Sequence, residues 1–181
     1  MTCIVGLIEN NNVYMGGDSA GVAGYDLTIR ADSKIFKNGP FLFGFTSSFR
    51  MGQLLRYKFK APYHKQEVSI DEYMMTDFID EIRKCFKEGG YAEIKDNHGS
   101  GGSFLVGYKG KLFRIEYDYQ VGIGVDNFSA CGCGEPFALA SLYNTNGLNM
   151  KPEERIKKAL ETAEYFSAGV RGPFVILNNG E

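Results

Sequence analysis

Short turns cut this chain into hairpins, and that punctuation constrains its fold more than any other feature. Asn10-Asn11-Asn12 separates the apolar, β-branched run 3–8 from Val13-Tyr14-Met15. Asn tolerates a positive φ, so this arrangement predicts an antiparallel pair of strands joined by a tight loop. Asn38-Gly39 stands between 34–37 and 40–45, and Lys109-Gly110 between 103–108 and 111–117, with the same meaning. Further short strands are predicted at 28–30, 119–123, 127–130 and 174–177.

Helical spacing alternates with these runs. Met51, Leu54, Leu55 and Phe59 recur at three- and four-residue steps until Pro62 stops them. Ser69 and Glu72 form a capping-box pair, and Ile70, Tyr73, Met74, Phe78, Ile82 and Cys85 then share one helical face up to Gly89-Gly90. Segment 91–102 is polar and glycine-rich and is predicted to be a loop. Two more helices are predicted at about 136–143 and from Pro152 to near Gly169, the second turning Ile156, Leu160, Ala163 and Phe166 inward. The order is strands, two helices, strands, two helices, one strand. Segregated runs of this kind argue for an α+β fold. Two sheets face to face, each covered outside by a helix pair, would bury every apolar face.

A chain of 181 residues with 44 % hydrophobic content predicts one domain over 1–181 with a sizeable core. Its 20 basic and 22 acidic residues leave a net charge of −2, and no basic stripe marks a nucleic-acid surface. No run approaches the roughly 18 apolar residues of a membrane span. The start Met1-Thr2-Cys3 lacks a basic region followed by a long apolar stretch. The expected setting is the cytoplasm, with neither nucleic acid nor membrane as partner. Cys3, Cys85, Cys131 and Cys133 form no disulfide framework and are expected as free thiols. Cys131 and Cys133 have no histidine nearby in sequence, since the two histidines are His64 and His98, so zinc is not expected. Gly99-Ser100-Gly101-Gly102 lacks the Lys-Ser/Thr tail of a phosphate loop and precedes a strand. No motif identifies a cofactor or a metal. The basic and aromatic run Arg56-Tyr57-Lys58-Phe59-Lys60 reads as the solvated side of the first helix.

Chemistry enters through Thr2, Asp18 and Lys34. Removal of Met1 would leave Thr2 with a hydroxyl and a free α-amine on one residue. A threonine hydroxyl is a weak nucleophile and needs a base. An α-amine, with an unperturbed pKa of about 7.7–8, suits that role near neutral pH. A neighbouring ammonium, Lys34, would favour the neutral amine by repulsion. Asp18 would hold Lys34 in place and keep it charged. Taken singly, each residue is ordinary. Asp18 reads as a turn residue, Lys34 as a surface lysine beside a hairpin, Ser47 as a helix cap and Cys133 as a small buried filler.

Taken in order, the elements resemble the proteasome β-type threonine peptidases, particularly their bacterial HslV-like branch, within the N-terminal nucleophile hydrolases. The motifs are Thr2, Gly16-Gly17-Asp18 at the end of the second strand, and Ser33-Lys34 one strand later. Phe41-Leu42-Phe43-Gly44-Phe45 corresponds to the strand that ends at the family's oxyanion loop, and Ala130-Cys131-Gly132-Cys133-Gly134 to its Gly-Ser-Gly turn. The resemblance implies a four-layer αββα sandwich and a mature chain that begins at Thr2. It implies catalytic roles for Thr2, Asp18 and Lys34, an oxyanion donor in the Ser47 amide, and Cys133 at the family's supporting serine. The implied reaction is acyl transfer to Thr2 and then hydrolysis. The implied substrate is peptide or unfolded protein, cut inside a homo-oligomeric ring that an ATP-dependent unfoldase feeds. The resemblance also implies a specificity pocket near Gly21, Asp32 and Gly44, and a monovalent-cation site on carbonyls near Ser167.

The sequence departs from the family at three places. Thr46-Ser47-Ser48 stands where the family has a glycine, Cys133 replaces the serine, and the stretch 167–172 has no acid. A retained Met1 would block the amine. Two alternatives therefore stay open: a catalytically silent ring subunit, and a small-molecule amidase that uses the same nucleophile.

Overall fold

A computed structural model describes residues 1–95 and 98–180. Strands β1 (Cys3–Glu9) and β2 (Asn12–Gly17) pair antiparallel with Glu9 opposite Asn12. Their two loop residues, Asn10 and Asn11, sit at φ +49° and +61°, as the asparagine turn predicts. A two-stranded ribbon follows, β3 (Ala20–Ala23) with β4 (Asp26–Ile29). The next hairpin, β5 (Ile35–Asn38) with β6 (Phe41–Phe45), turns one residue later than the sequence predicts. Its loop is Gly39-Pro40, with Gly39 at φ +57°. Pro40 has no N–H for a ladder, so it belongs in the loop. Asn38 stays in the strand and donates from its side chain to the carbonyls of Leu55 (2.8 Å) and Phe59 (3.2 Å).

The segment read as a loop over 91–102 holds two short strands, β7 (Glu93–Lys95) and β8 (His98–Ser100), paired with each other. Asp96 and Asn97 lie outside the described residues. A two-stranded ladder pairs backbone groups without needing an apolar pattern, so the sequence gives no sign of it. Strands β9 (Phe104–Tyr108) and β10 (Lys111–Ile115) turn at Lys109-Gly110, both in the left-handed region. Strands β11 (Val121–Gly122), β12 (Phe128–Gly132) and β13 (Val175–Asn178) complete two main sheets. Their orders are β12-β1-β2-β13 and β11-β10-β9-β6-β5.

Helix α1 (Phe49–Gln53) runs directly into a π-helical turn, Leu54–Lys58. Helix α2 (Ile70–Tyr73), a second π-helical turn at Met74–Phe78, and α3 (Ile79–Glu88) follow one another without a break. Ser69 accepts the Glu72 N–H at 3.1 Å, the serine half of the capping box. Gly90, at φ +67°, ends the helix, and the Tyr91 N–H returns to the Phe86 carbonyl at 2.9 Å. Helices α4 (Glu135–Asn144) and α5 (Pro152–Phe166) pack against each other. Among the described residues no helix is long and apolar enough to cross a membrane.

Three apolar clusters hold these elements. Phe43, Phe104 and Phe113 of the five-stranded sheet meet Leu55, Phe78 and Phe86 of the first helices. Cys3, Val5 and Leu7 of β1 meet Ala138, Leu142, Ile156 and Leu160 of α4 and α5. Ile4, Val13 and Met15 of one sheet share the third cluster with Ile35, Leu42 and Leu105 of the other. Alternation along β1 sends Ile4 to one cluster and its neighbours Cys3 and Val5 to another, which is the period-2 rule of a strand buried on both faces.

The glycines before Asp18 make this possible. A Cβ at Gly16 would lie 2.3 Å from Ile156 Cγ2, and one at Gly17 would lie 3.0 Å from Ile35 Cδ1. Helix α5 and the opposite sheet thus both approach the last residues of β2 as closely as a bare backbone permits. Gly16→Ala must push Ile156 away. It is expected to lower unfolding stability by about 1–3 kcal/mol in urea titration, with the shift in the midpoint rather than the slope.

Candidate active site

Hairpin topology gathers the candidate residues at one end of both sheets. Thr2 directly precedes β1, and Asp18 directly follows β2 beside it. Lys34 precedes β5, Ser47 lies just beyond β6, and Cys133 just beyond β12. The backbone fixes the first two closely: the Asp18 N–H donates to the Cys3 carbonyl at 3.3 Å, and the Cys3 N–H donates to Asp18 Oδ1 at 3.0 Å.

Lys34 is the hub. Its Nζ donates to Thr2 Oγ1 at 2.9 Å and to Asp18 Oδ1 at 2.9 Å. The side chains are sealed: Lys34 is 2 % exposed, Asp18 1 % and Thr2 5 %. Lys34 is therefore not the surface lysine that its sequence context suggests. Asp18 also accepts the N–H groups of Ala20 (2.9 Å) and Arg171 (3.4 Å) on Oδ2, so both carboxylate oxygens are satisfied. A buried ion pair is tolerable only with such additional partners. Burial pushes the Lys34 ammonium below the ordinary lysine range, and Asp18 opposes that fall. Burial, with help from Asp18, pushes the Cys3 thiol up, and burial does the same to Cys131, so both stay protonated and inert.

Cys133 touches Thr2 twice. The Thr2 N–H donates to Cys133 Sγ at 3.3 Å, and the thiol donates to the Thr2 carbonyl at 3.4 Å. Cys133 is exposed rather than a buried filler. Ser167 Oγ donates to the same sulfur at 3.4 Å. The sequence places Ser167 in a loop that lacks an acid, where the resemblance implies a cation site on backbone carbonyls, and gives its side chain no role. No local pattern links it to Cys133, because the end of α5 brings the two together. Gly132, at φ +100°, precedes the cysteine, and a Cβ there would lie 2.3 Å from the Thr2 carbonyl oxygen. With Met1 attached, Thr2 N is a peptide nitrogen that cannot take up a proton, and Thr2 Oγ1 donates to the Met1 carbonyl.

Ser47 has the least ordinary backbone of the five. It lies at φ +66°, and the Ser48 N–H donates back to the Thr46 carbonyl at 2.7 Å. That is a three-residue turn centred on Ser47, a strained form for a residue with a Cβ. Glycine, which the resembling family carries in this loop, adopts it freely. The helix cap is Ser48, whose Oγ accepts the Arg50 N–H at 3.1 Å, and not Ser47. Thr46 anchors the loop through its hydroxyl on the Ser103 carbonyl at 3.0 Å. The Ser47 N–H donates to no group among the described residues. Thr2, Lys34, Phe45, Thr46, Ser47 and Ser48 line a common cavity of about 70 Å³.

The pocket residues divide. Asp32 and Ser33 line an adjoining cavity of about 130 Å³. Gly44 does not line it. A Cβ there would lie 2.5 Å from Ile4 Cγ2 and 2.6 Å from Met15 Sδ, so Gly44 faces the space between the sheets.

No protein-family model matches the sequence, and no curated protein matches it in sequence. Solved structures do. The chain is similar to Thiobacillus denitrificans BPH, at TM-score 0.82 and 17 % identity, over 98 % of this chain and 97 % of that one. It is similar to the same protein in complex with epoxomicin, at TM-score 0.81, 17 % identity and the same coverage. It is also similar to eukaryotic HslV from Trypanosoma brucei, at TM-score 0.69 and 17 % identity, over 98 % of each chain. These likenesses establish an HslV-like, proteasome β-type fold.

Two variants test the energetics of the site. Asp18→Ala leaves the Lys34 ammonium buried without its counter-charge and is expected to cost about 3–5 kcal/mol in urea titration. Ser47→Gly relieves the left-handed strain and is expected to raise stability by about 1 kcal/mol in the same measurement.

Proposed function

We propose that the chain is a threonine-type peptidase of the N-terminal nucleophile class, active once Met1 is removed. The observation that carries this reading is Lys34 Nζ at 2.9 Å from both Thr2 Oγ1 and Asp18 Oδ1 in a sealed site. In this reading the freed α-amine of Thr2 takes the proton from Oγ1, which attacks a substrate carbonyl. The Lys34 ammonium stabilises the developing alkoxide and, by repulsion, keeps the amine neutral. The unpartnered Ser47 N–H meets the oxyanion of the tetrahedral intermediate. The Thr2 ammonium then protonates the leaving amine, and an ester remains on Oγ1. Water, activated by the same amine, hydrolyses that ester. Cys133 Sγ, which here accepts from Thr2 N, orients the amine lone pair.

The same reading extends to architecture. The three apolar clusters support a four-layer αββα arrangement. The fold likeness supports a homo-oligomeric ring, and the proposal adds an ATP-dependent unfoldase that feeds it unfolded polypeptide.

The silent-subunit reading applies where Met1 is kept. Met1 packs over Gly169, where a Cβ would lie 2.4 Å from Met1 Cβ, and its carbonyl takes the Thr2 hydroxyl. A chain that keeps Met1 holds its nucleophile bonded to its own first residue.

Intact mass with a fluorogenic-peptide assay separates the two. Protein lacking Met1 is expected to cleave peptide, and protein retaining it is not. Thr2→Ala and Lys34→Ala are each expected to abolish turnover. Epoxomicin, found in complex with the Thiobacillus denitrificans relative, should inhibit the processed form. Peptide cleavage that survives Lys34→Ala would remove the basis of the assignment.

The pH profile follows from the two cations. Activity should rise as the amine loses its proton, with a midpoint below the ordinary α-amine value of about 7.7–8 because Lys34 repels the ammonium form. It should fall again at alkaline pH as Lys34 deprotonates. Burial lowers that group, so the falling limb should lie below the ordinary lysine value of 10.5. Steady-state kinetics across pH 6–11, by roughly half-unit steps, would show both limbs.

A further inference from the structure

The 130 Å³ cavity beside the nucleophile is lined by Asp32, Ser33, Phe45, Phe49, Arg56 and Tyr57, among others. Phe45 and Phe49 also line the cavity that holds Thr2 and Lys34, so the two spaces adjoin. A substrate carbonyl placed on Thr2 would put a neighbouring side chain into this second space.

The charges inside it are unequal. Arg30 grips Asp32 with both prongs, Nε to Oδ1 at 2.6 Å and a terminal nitrogen to Oδ2 at 2.7 Å. The Arg30 guanidinium also lies 4.1 Å from the Phe49 ring centroid. Those bonds hold the Asp32 carboxyl below its ordinary range, and the charge of Arg56 adds to the effect. Asp32 is therefore already neutralised. Arg56 is not. It is half-buried, 4.5 Å from the Phe36 ring centroid, with one terminal nitrogen donating to the Ser33 carbonyl. Among the described residues, no acceptor takes its other N–H groups.

The sequence places Arg56 on a solvated helix face. The π-helical turn Leu54–Lys58 adds a residue to the turn that carries it, and Arg56 instead reaches the backbone of Ser33, next to Lys34. We propose that this cavity selects a substrate side chain that ends in a carboxylate, and that Arg56 selects it. The inference rests on the peptidase reading for its direction but names a property which that reading leaves open.

The competing side chains fit less well. A basic side chain would have to displace Arg30 from Asp32 while facing Arg56. An apolar one would find aromatic walls, but would strip water from guanidinium N–H groups and give them nothing in return. A carboxylate reaching between Phe45 and Tyr57 pairs with those groups in the planar fork geometry that arginine favours.

Binding decides this without relying on turnover. The probes are acetylated peptides identical except for Glu, Leu or Lys at one position, titrated by calorimetry onto the full chain carrying Thr2→Ala, which cannot cleave them. The Glu peptide is expected to bind at least about tenfold more tightly than the Leu or Lys peptide. Arg56→Leu should erase that difference, and Arg56→Glu should reverse it in favour of Lys. Tighter binding of the Leu or Lys peptide, or an unchanged preference in Arg56→Leu, overturns the inference. Wild-type protein that shows the Glu preference in binding, yet cleaves nothing after Met1 removal, overturns the peptidase reading and leaves the pocket assignment standing.

Discussion

The ion pair between Lys34 and Asp18 ties the two sheets together at the end where the candidate residues gather. Asp18 hangs from the end of β2 in the four-stranded sheet, and Lys34 from the start of β5 in the five-stranded one. Both are almost wholly removed from water. Such a pair is costly to bury, and the attraction between partners roughly offsets the lost hydration when every remaining lone pair is met. Here the backbone amides of Cys3, Ala20 and Arg171 meet those of Asp18, and the hydroxyl of Thr2 takes a further Lys34 proton. The amides come from three separate segments of the chain. The carboxylate is therefore fully satisfied only when β1, the start of β3 and the segment after α5 are all in place.

Close approach and local strain serve that same end of the molecule. Gly16 and Gly17 admit α5 and the facing sheet to the backbone just before Asp18. Gly132 lets the turn into α4 pass over the Thr2 carbonyl, and Ser47, which lines the cavity with Thr2, holds a left-handed turn. A serine in that conformation stores of order 1–3 kcal/mol, which the anchoring of Thr46 on Ser103 and the cap from Ser48 help to hold. Strain of this kind, in a loop beside a buried lysine, is one ground for the oxyanion role proposed for the Ser47 amide. Its side-chain hydroxyl, bonded to Thr46, has no part in that role.

Much of the fold was legible because turn chemistry is local. Asn10, Asn11 and Gly110 each adopt the positive φ that their residue types favour, and Lys109 takes the same conformation in the turn it shares with Gly110. The apolar face from Ile70 to Cys85 is helical, but the π-helical turn inside it was not legible, because one extra residue per turn leaves no mark on three- and four-residue spacing. The turn at Gly39-Pro40 was misplaced by one residue because the contacts that keep Asn38 in its strand come from Leu55 and Phe59, distant in sequence. The ribbon at 93–100 was not legible because its pairing is carried by backbone groups, which every residue has.

Thr2, Asp18 and Lys34 were candidates from the chain alone, since their residue types and intervals suit one chemistry and match one known pattern. What the sequence by itself determined was the inventory: a hydroxyl, a carboxylate and an ammonium placed at strand ends, with glycines before the acid. Only the tertiary structure decided that these groups meet within hydrogen-bonding distance and out of water, that Ser47 sits in a left-handed turn, and that half-buried Arg56 lines a cavity. The physical reason is that types and intervals are properties of the chain. Distance, burial and the unpartnered state of a donor depend on packing between segments far apart in sequence.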